Sequence, residues 1–405
     1  MDWRGTLSNT RLRTTAALVI SGGMAALLGY VWTLLTGRLL PAGEYSDFTA
    51  GASIIYFAVT ALTPASQTLA FFTATSIENG RALEKRLLQL LWLCGFALIA
   101  ITAAVAIPLA PLLHFRSPIV LVFIAASIVV VFGLHVRRGT LLGEQRFERY
   151  AVNLVVEAIL RLTMAAVALY VLANAPVSLA AYATAGVAAM SLFPHTRAEG
   201  EANLGAALRY FAPTFAYTIV YAALQNADVI LVKQWFPRDD AGLYGAASFL
   251  ARATGMLVMP FVAFAVPHLV EAAADRAEVR RRFTRICLEY AALSVAALLV
   301  VAFAGERIVI LILGSGYAAA GPLLLPLSTA FALSGSVFLL CQLPVAMNRF
   351  RFVGWYALGL AIDLGGLILF HRTLMQVACV LIAANLIALL LVAPHLRSDQ
   401  RSPQM

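Results

Sequence analysis

Apolar stretches of about twenty residues follow one another along this chain with only short polar breaks, and that rhythm admits few folds. A helix of that length crosses the hydrocarbon core of a bilayer. Twelve such stretches are legible, at about 14–36, 49–73, 87–110, 117–135, 151–173, 176–193, 209–232, 241–268, 286–304, 319–345, 352–370 and 373–395. The fifth and sixth are separated only by Asn174, Ala175 and Pro176, which predicts a tight helical hairpin. Segment 305–318 is apolar over Ile308–Leu313 but broken by Gly314 and Gly316, and reads as a surface or re-entrant piece before the tenth helix. Charged residues are 12% of the chain, about half the share of about 25% usual in globular proteins. The fold class is therefore an all-α polytopic membrane protein of about twelve transmembrane helices. Arg4, Arg11 and Arg13 precede the first stretch as in a signal peptide, yet no small-x-small cleavage site follows, so the first span is expected to stay uncleaved.

The second constraint is an internal repeat. Pro41 and Pro64 recur as Pro237 and Pro260, both at an offset of 196 residues. The same offset lays Pro41–Phe48 on Pro237–Tyr244 without a gap, and Lys85–Arg86 on Arg281–Arg282. A shift of 203 lays Gln145–Phe147 on Asn348–Phe350. Two related halves are expected, a six-helix lobe over 1–200 and another over 201–405. With an even number of spans in each half, both lobes enter the membrane the same way, so the repeat is parallel rather than inverted. The natural place for a substrate is a cleft between them. Pro41 and Pro237 fall at the starts of spans two and eight, whereas Pro64 and Pro260 lie inside them. A proline there removes a backbone hydrogen bond, so both are expected to kink their helices and are hinge candidates.

Charge sets the orientation. With the N-terminus cytoplasmic, alternate loops carry 21 Lys and Arg on the cytoplasmic side (Arg209, at the edge of the seventh span, included) and 6 on the other. Arg161 and Arg252 lie within spans. That bias predicts a multi-pass membrane protein with both termini cytoplasmic. The net charge of +9 would suggest nucleic acid in a soluble protein; here it fringes the spans, no nucleic-acid motif is present, and membrane lipids are the expected contact.

Three segments carry a resemblance: Gly37–Phe48 after the first span, Asn226–Asp228 with Ala241–Tyr244 across the seventh and eighth, and Leu313–Ala320 before the tenth. Through them the chain resembles the multidrug/oligosaccharidyl-lipid/polysaccharide (MOP) exporter superfamily, and within it the Wzx-type polysaccharide flippases. The resemblance implies a MATE-like, V-shaped pair of six-helix lobes working by alternating access. It also implies a cargo: a polyprenyl-pyrophosphate-linked oligosaccharide, turned from the cytoplasmic to the periplasmic leaflet for surface polysaccharide biosynthesis, with other assembly proteins as further partners. Lipid II flippases of that superfamily typically carry two further helices beyond these twelve.

Such cargo needs buried cations and hydroxyls. Arg252 lies near mid-membrane, where an arginine costs about 2.5–3.5 kcal/mol; it reads as a phosphate or uronate contact, or as a structural partner of Asp228 or Asp363. Arg161 follows Glu157 by one turn, which supports either a neutral pair or a cargo contact. Tyr56, Thr60, Thr63 and Gln67 fall on one face of span two and suit a sugar path, or bond back to their own helix. Asn226 joins the cavity candidates; Asp228, Asp363 and Glu157 are candidates for ion coupling. Measured by the repeat, Arg252 falls on Tyr56 and Arg161 on Leu364, so these charges have no like-charged counterpart.

Two other classes compete. A multidrug or organic-cation exporter of the same superfamily, driven by a proton or sodium gradient, would share the fold and use the acidic residues. A membrane-bound glycan polymerase or glycosyltransferase would need a large extramembrane loop or paired acid and base groups. No such group, nucleotide loop or histidine cluster is found, and Cys94, Cys287, Cys341 and Cys379 stand singly. The expectation is a transporter rather than an enzyme, with no metal or cofactor.

Overall fold

The computed structural model describes residues 3–193, 200–259, 261–262, 276–346 and 349–398. Among them are twelve α-helices and no strand. They are α1 (Trp3–Leu39), α2 (Ala42–Thr75), α3 (Ile77–Leu112), α4 (Ile119–Gly143), α5 (Phe147–Leu172), α6 (Ala175–Ser191), α7 (Leu204–Trp235), α8 (Arg238–Met256), α9 (Arg276–Leu313), α10 (Gly321–Ala346), α11 (Val353–Leu369) and α12 (Leu374–Ser398). Nine candidate spans among the described residues are long and apolar enough to cross a membrane; α6 and α11 are shorter apolar helices. The protein is a multi-pass membrane protein.

Local chemistry sets the helix ends. Pro41 and Pro237 each stand just before a helix, and their carbonyls accept the N–H of Tyr45 and Ala241 at 2.9 Å, so α2 and α8 begin at corresponding positions of the repeat. The predicted hairpin is formed: Ala173 closes α5 in the left-handed region (φ 43°), and the Asn174 side chain caps α6 by accepting the Val177 N–H at 3.2 Å. Segment 305–318 is not a separate surface or re-entrant piece. Residues 305–313 are the last turns of α9; Gly314, at φ 101°, breaks the helix where few other residues would fit, and a 3₁₀ turn over Ser315–Ala320 leads into α10. Pro64 lies buried inside α2, while Pro260 lies outside the described residues.

The chain divides into two compact units, 1–40 with 54–218, and 41–53 with 219–405. The first contains α1, α3 to α6, most of α2 and the start of α7. The second contains the start of α2, the rest of α7, and α8 to α12. In the first, α4 approaches α2 closely because Gly139 and Gly143 leave no side chain between them; a Cβ at either would meet the backbone of Ser66 or Ala70. Leu69, Leu91, Val130 and Leu134 build the core beside that contact. In the second, the start of α2 packs on α8 in the same manner: a Cβ at Gly242 would overlap the Ala42 carbonyl, and one at Gly245 would press on Thr49.

The third helix of each half carries its unit's apolar exterior. Ile107 on α3 is 75% exposed and Phe303 on α9 is 86% exposed. Runs of exposed Leu, Ile and Phe on helices this apolar are stable only against lipid.

Candidate functional site

Each unit holds a buried polar cluster around an arginine inside a span. In the first, Arg161 of α5 is 6% exposed and pairs with Glu157 one turn earlier at 3.1 Å. Its guanidinium lies over the rings of Trp32 (5.3 Å) and Tyr182 (4.6 Å), contributed by α1 and α6. Gly29 on α1 leaves the room: a Cβ there would sit 3.1 Å from the guanidinium. Trp32 is fixed in turn, its indole N–H donating to Ser178 Oγ at 3.0 Å, and Ser178 meets the Thr36 hydroxyl at 2.8 Å. Tyr56 of α2 stands edge-on to Trp32 at 6.4 Å. Glu157 is shared, because Arg138 of α4 lies 3.7 Å from its other oxygen. Two guanidiniums therefore face one carboxylate, and Arg161 Nε is buried without a hydrogen-bond acceptor among the described residues.

The second cluster has the opposite balance. Asp228 of α7, 1% exposed, accepts from Tyr244 at 2.9 Å and Ser248 at 3.1 Å, both on α8. Arg252, one turn beyond Ser248, approaches Asp228 at 3.6 Å and donates to Asn226 at 3.1 Å. Its guanidinium covers Phe249 (4.6 Å) and Phe331 (5.5 Å). Asp363 of α11 is 1% exposed and close enough to Asp228 for their charges to interact. Its Oδ1 has no hydrogen-bond partner among the described residues. Here two carboxyl groups lie near each other, and one of them meets a guanidinium.

The structure thus brings Arg161, Glu157 and Tyr56 together in one unit, and Arg252, Asn226, Asp228 and Asp363 in the other. The rest of the stripe on α2 is not drawn into the first cluster: Thr63 donates to its own Val59 carbonyl at 3.1 Å, Thr60 is half-buried, and Gln67 is exposed. Trp32, Tyr182, Tyr244 and Ser248 were not anticipated. The signal that finds two anchor positions is the repeat itself. At the 196 offset Trp32 corresponds to Asp228 and Tyr56 to Arg252, and at the 203 shift Arg161 falls one residue from Asp363. Arg252 thus shares its repeat position with Tyr56 of the other cluster, and Asp228 with Trp32, with the chemistry changed.

A third buried set was also unforeseen. Lys233, expected in a loop, lies in the last turn of α7 and is 4% exposed. It pairs with Asp47 of α2, whose second oxygen takes Arg238 at 2.8 Å. This set ties the ends of α7 and α8 to the start of α2.

No family model matches the sequence, and no curated protein matches it. Solved structures do. The lipid II flippase MurJ in its inward closed conformation matches with a TM-score of 0.75 at 14% identity, over 95% of this chain and 88% of that one. An inward-facing multidrug resistance MATE family transporter of the MOP superfamily matches with 0.74 at 12% identity, over 96% and 100%. A MOP superfamily transporter from Pyrococcus furiosus matches with 0.61 at 15% identity, over 96% of each chain. At these identities the likeness is one of fold: the chain has the fold of these three proteins, a flippase and two transporters.

Proposed function

We propose that the protein is a flippase that carries a polyprenyl-pyrophosphate-linked oligosaccharide from the cytoplasmic to the periplasmic leaflet by alternating access, for surface polysaccharide biosynthesis. The observation that carries this reading is the excess guanidinium of the first unit. Arg161 and Arg138 share Glu157, so one positive charge is left for an anion, and Arg161 lies over two aromatic rings that pack on each other. A cation beside aromatic walls suits a pyrophosphate attached to sugar rings. The fold shared with a lipid II flippase supports a lipid-linked cargo. The loop bias of 21 to 6 supports cytoplasmic termini, and the flippase reading itself places the protein in a bacterial inner membrane among other polysaccharide assembly proteins.

A second reading has its own observation. Asp228 and Asp363 lie near each other with Arg252 3.6 Å from Asp228, and two neighbouring buried carboxyl groups suit an organic cation or a coupling ion, as in a multidrug exporter. One assay separates the two. Proteoliposomes carrying a fluorescent polyprenyl-pyrophosphate glycan should show protein-dependent arrival in the opposite leaflet, slowed about tenfold by Arg161→Gln, the loss expected for one charge-assisted contact. Efflux of an organic cation with no movement of the glycan would replace the flippase reading with the exporter one.

A further inference from the structure

The carboxy-terminal end of α6, the amino-terminal end of α5 and Leu141 of α4 line an open cavity of about 590 Å³, within the size range of small-ligand sites. Its apolar wall includes Leu141, Val152 and Phe193, and its polar wall includes Arg149, Asn153 and Ser191. Arg149 is exposed, has no ion-pair partner among the described residues, and sits in the first turn of α5, where the helix dipole also favours an anion. The Arg146 that precedes α5 provides no side-chain cap, which leaves the first N–H groups of the helix for a ligand. Val152, at 60% exposure, opens the apolar wall outward. The lining therefore combines a cation, with Glu148 beside it, and a hydrocarbon surface, which is the chemistry of an anionic lipid headgroup with the start of its chain.

The cavity is also the outer end of a continuous polar line. Arg149, Asn153, Glu157 and Arg161 follow at four-residue spacing along one face of α5. Asn153, 4% exposed, accepts from Arg138 Nε at 2.9 Å and donates to the Ala189 carbonyl at 2.8 Å. Arg138 reaches Glu157, and Glu157 holds Arg161. The line runs from the basic 136–150 edge of the first unit to its aromatic-walled guanidinium. A site for bulk lipid would need no such extension inward.

We propose that this cavity is a docking subsite for the phosphorylated head of a prenyl lipid, from which the head passes along α5 toward Arg161; this deepens the flippase reading and rests on it. Glu148 shares the wall and opposes an anion, so the sign of its effect is fixed in advance. Binding of geranylgeranyl diphosphate to the full chain in nanodiscs tests the proposal. Arg149→Gln and the cavity-filling Ser191→Phe should each weaken binding about fivefold, and Glu148→Gln should tighten it. Arg149 and Glu148 are exposed, so these variants keep the fold. Unchanged binding by Arg149→Gln, or loss in Arg161→Gln alone, would overturn the subsite. Equal competition by inorganic pyrophosphate or phosphatidylglycerol would overturn its assignment to a prenyl lipid. A wild-type protein that binds the probe with the expected variant pattern but moves no glycan would reject the flippase reading and leave the subsite standing.

Discussion

Arg161 is held in a way that a lysine does not reproduce. Its flat guanidinium covers Trp32 and Tyr182 while bonding Glu157, whereas an ammonium keeps the charge and loses the stacked plane. Arg161→Lys is therefore expected to fold like the wild type and flip about tenfold more slowly, read as leaflet transfer at equal protein in proteoliposomes. In the other unit the emphasis is structural. Removing Arg252 leaves Asp228 and Asp363 buried beside each other without a cation. Arg252→Leu should cost about 3–5 kcal/mol in detergent unfolding, and adding Asp228→Asn should recover most of it. A single variant that unfolds like the wild type would remove Arg252 from that role. The Glu157–Arg161 pair was legible in the sequence, because i,i+4 partners are fixed by helical geometry alone. Trp32 and Tyr182 were not, since they reach Arg161 from other helices through tertiary packing, which leaves no local pattern.

Helix lengths moved charges from loops into packing. The expected fourth span ended at 135, but α4 continues to Gly143, so Arg137 and Arg138 are helical and face Glu84 and Glu157 at 3.7 Å. Apolar windows end at the first basic residues, and a helix whose last turns are buried in ion pairs outlasts its apolar stretch. The same holds for Lys233 at the end of α7. Asp47→Asn should leave that buried ammonium poorly compensated and lower stability by about 3 kcal/mol, measured by the same unfolding assay. The contact of α4 with α2 admits no bulk at Gly139, whose Cβ position is 2.5 Å from the Ser66 carbonyl oxygen. Gly139→Leu is expected to cost at least about 1–3 kcal/mol, because the obstacle is backbone and cannot rotate away.

At the scale of the molecule, number and order of helices were read correctly because bilayer thickness dictates span length. The two compact units divide inside α2 and α7, where the apolar pattern is uninterrupted and leaves no mark in the sequence. The apolar exteriors of α3 and α9 give a direct test of the membrane setting. Spin labels at Ile107→Cys and Phe303→Cys, in a background without the four native cysteines, should be accessible to oxygen and shielded from a nickel chelate; a label at the buried Ala388 should be shielded from both.

The meeting of α2 and α8 carries one more consequence. Gly43 faces Asp239, and Thr49 faces Gly245; each pair is a residue and its own counterpart at the offset of 196. Residues that touch their own images lie on a local axis of symmetry. In a dimer of identical single-repeat chains both members of such a pair would be the same, and two threonines would not fit where Thr49 already crowds the Cβ position of Gly245. Once two copies are joined in one chain, large can face small across the axis, and the two helices can approach more closely than two equal threonines allow.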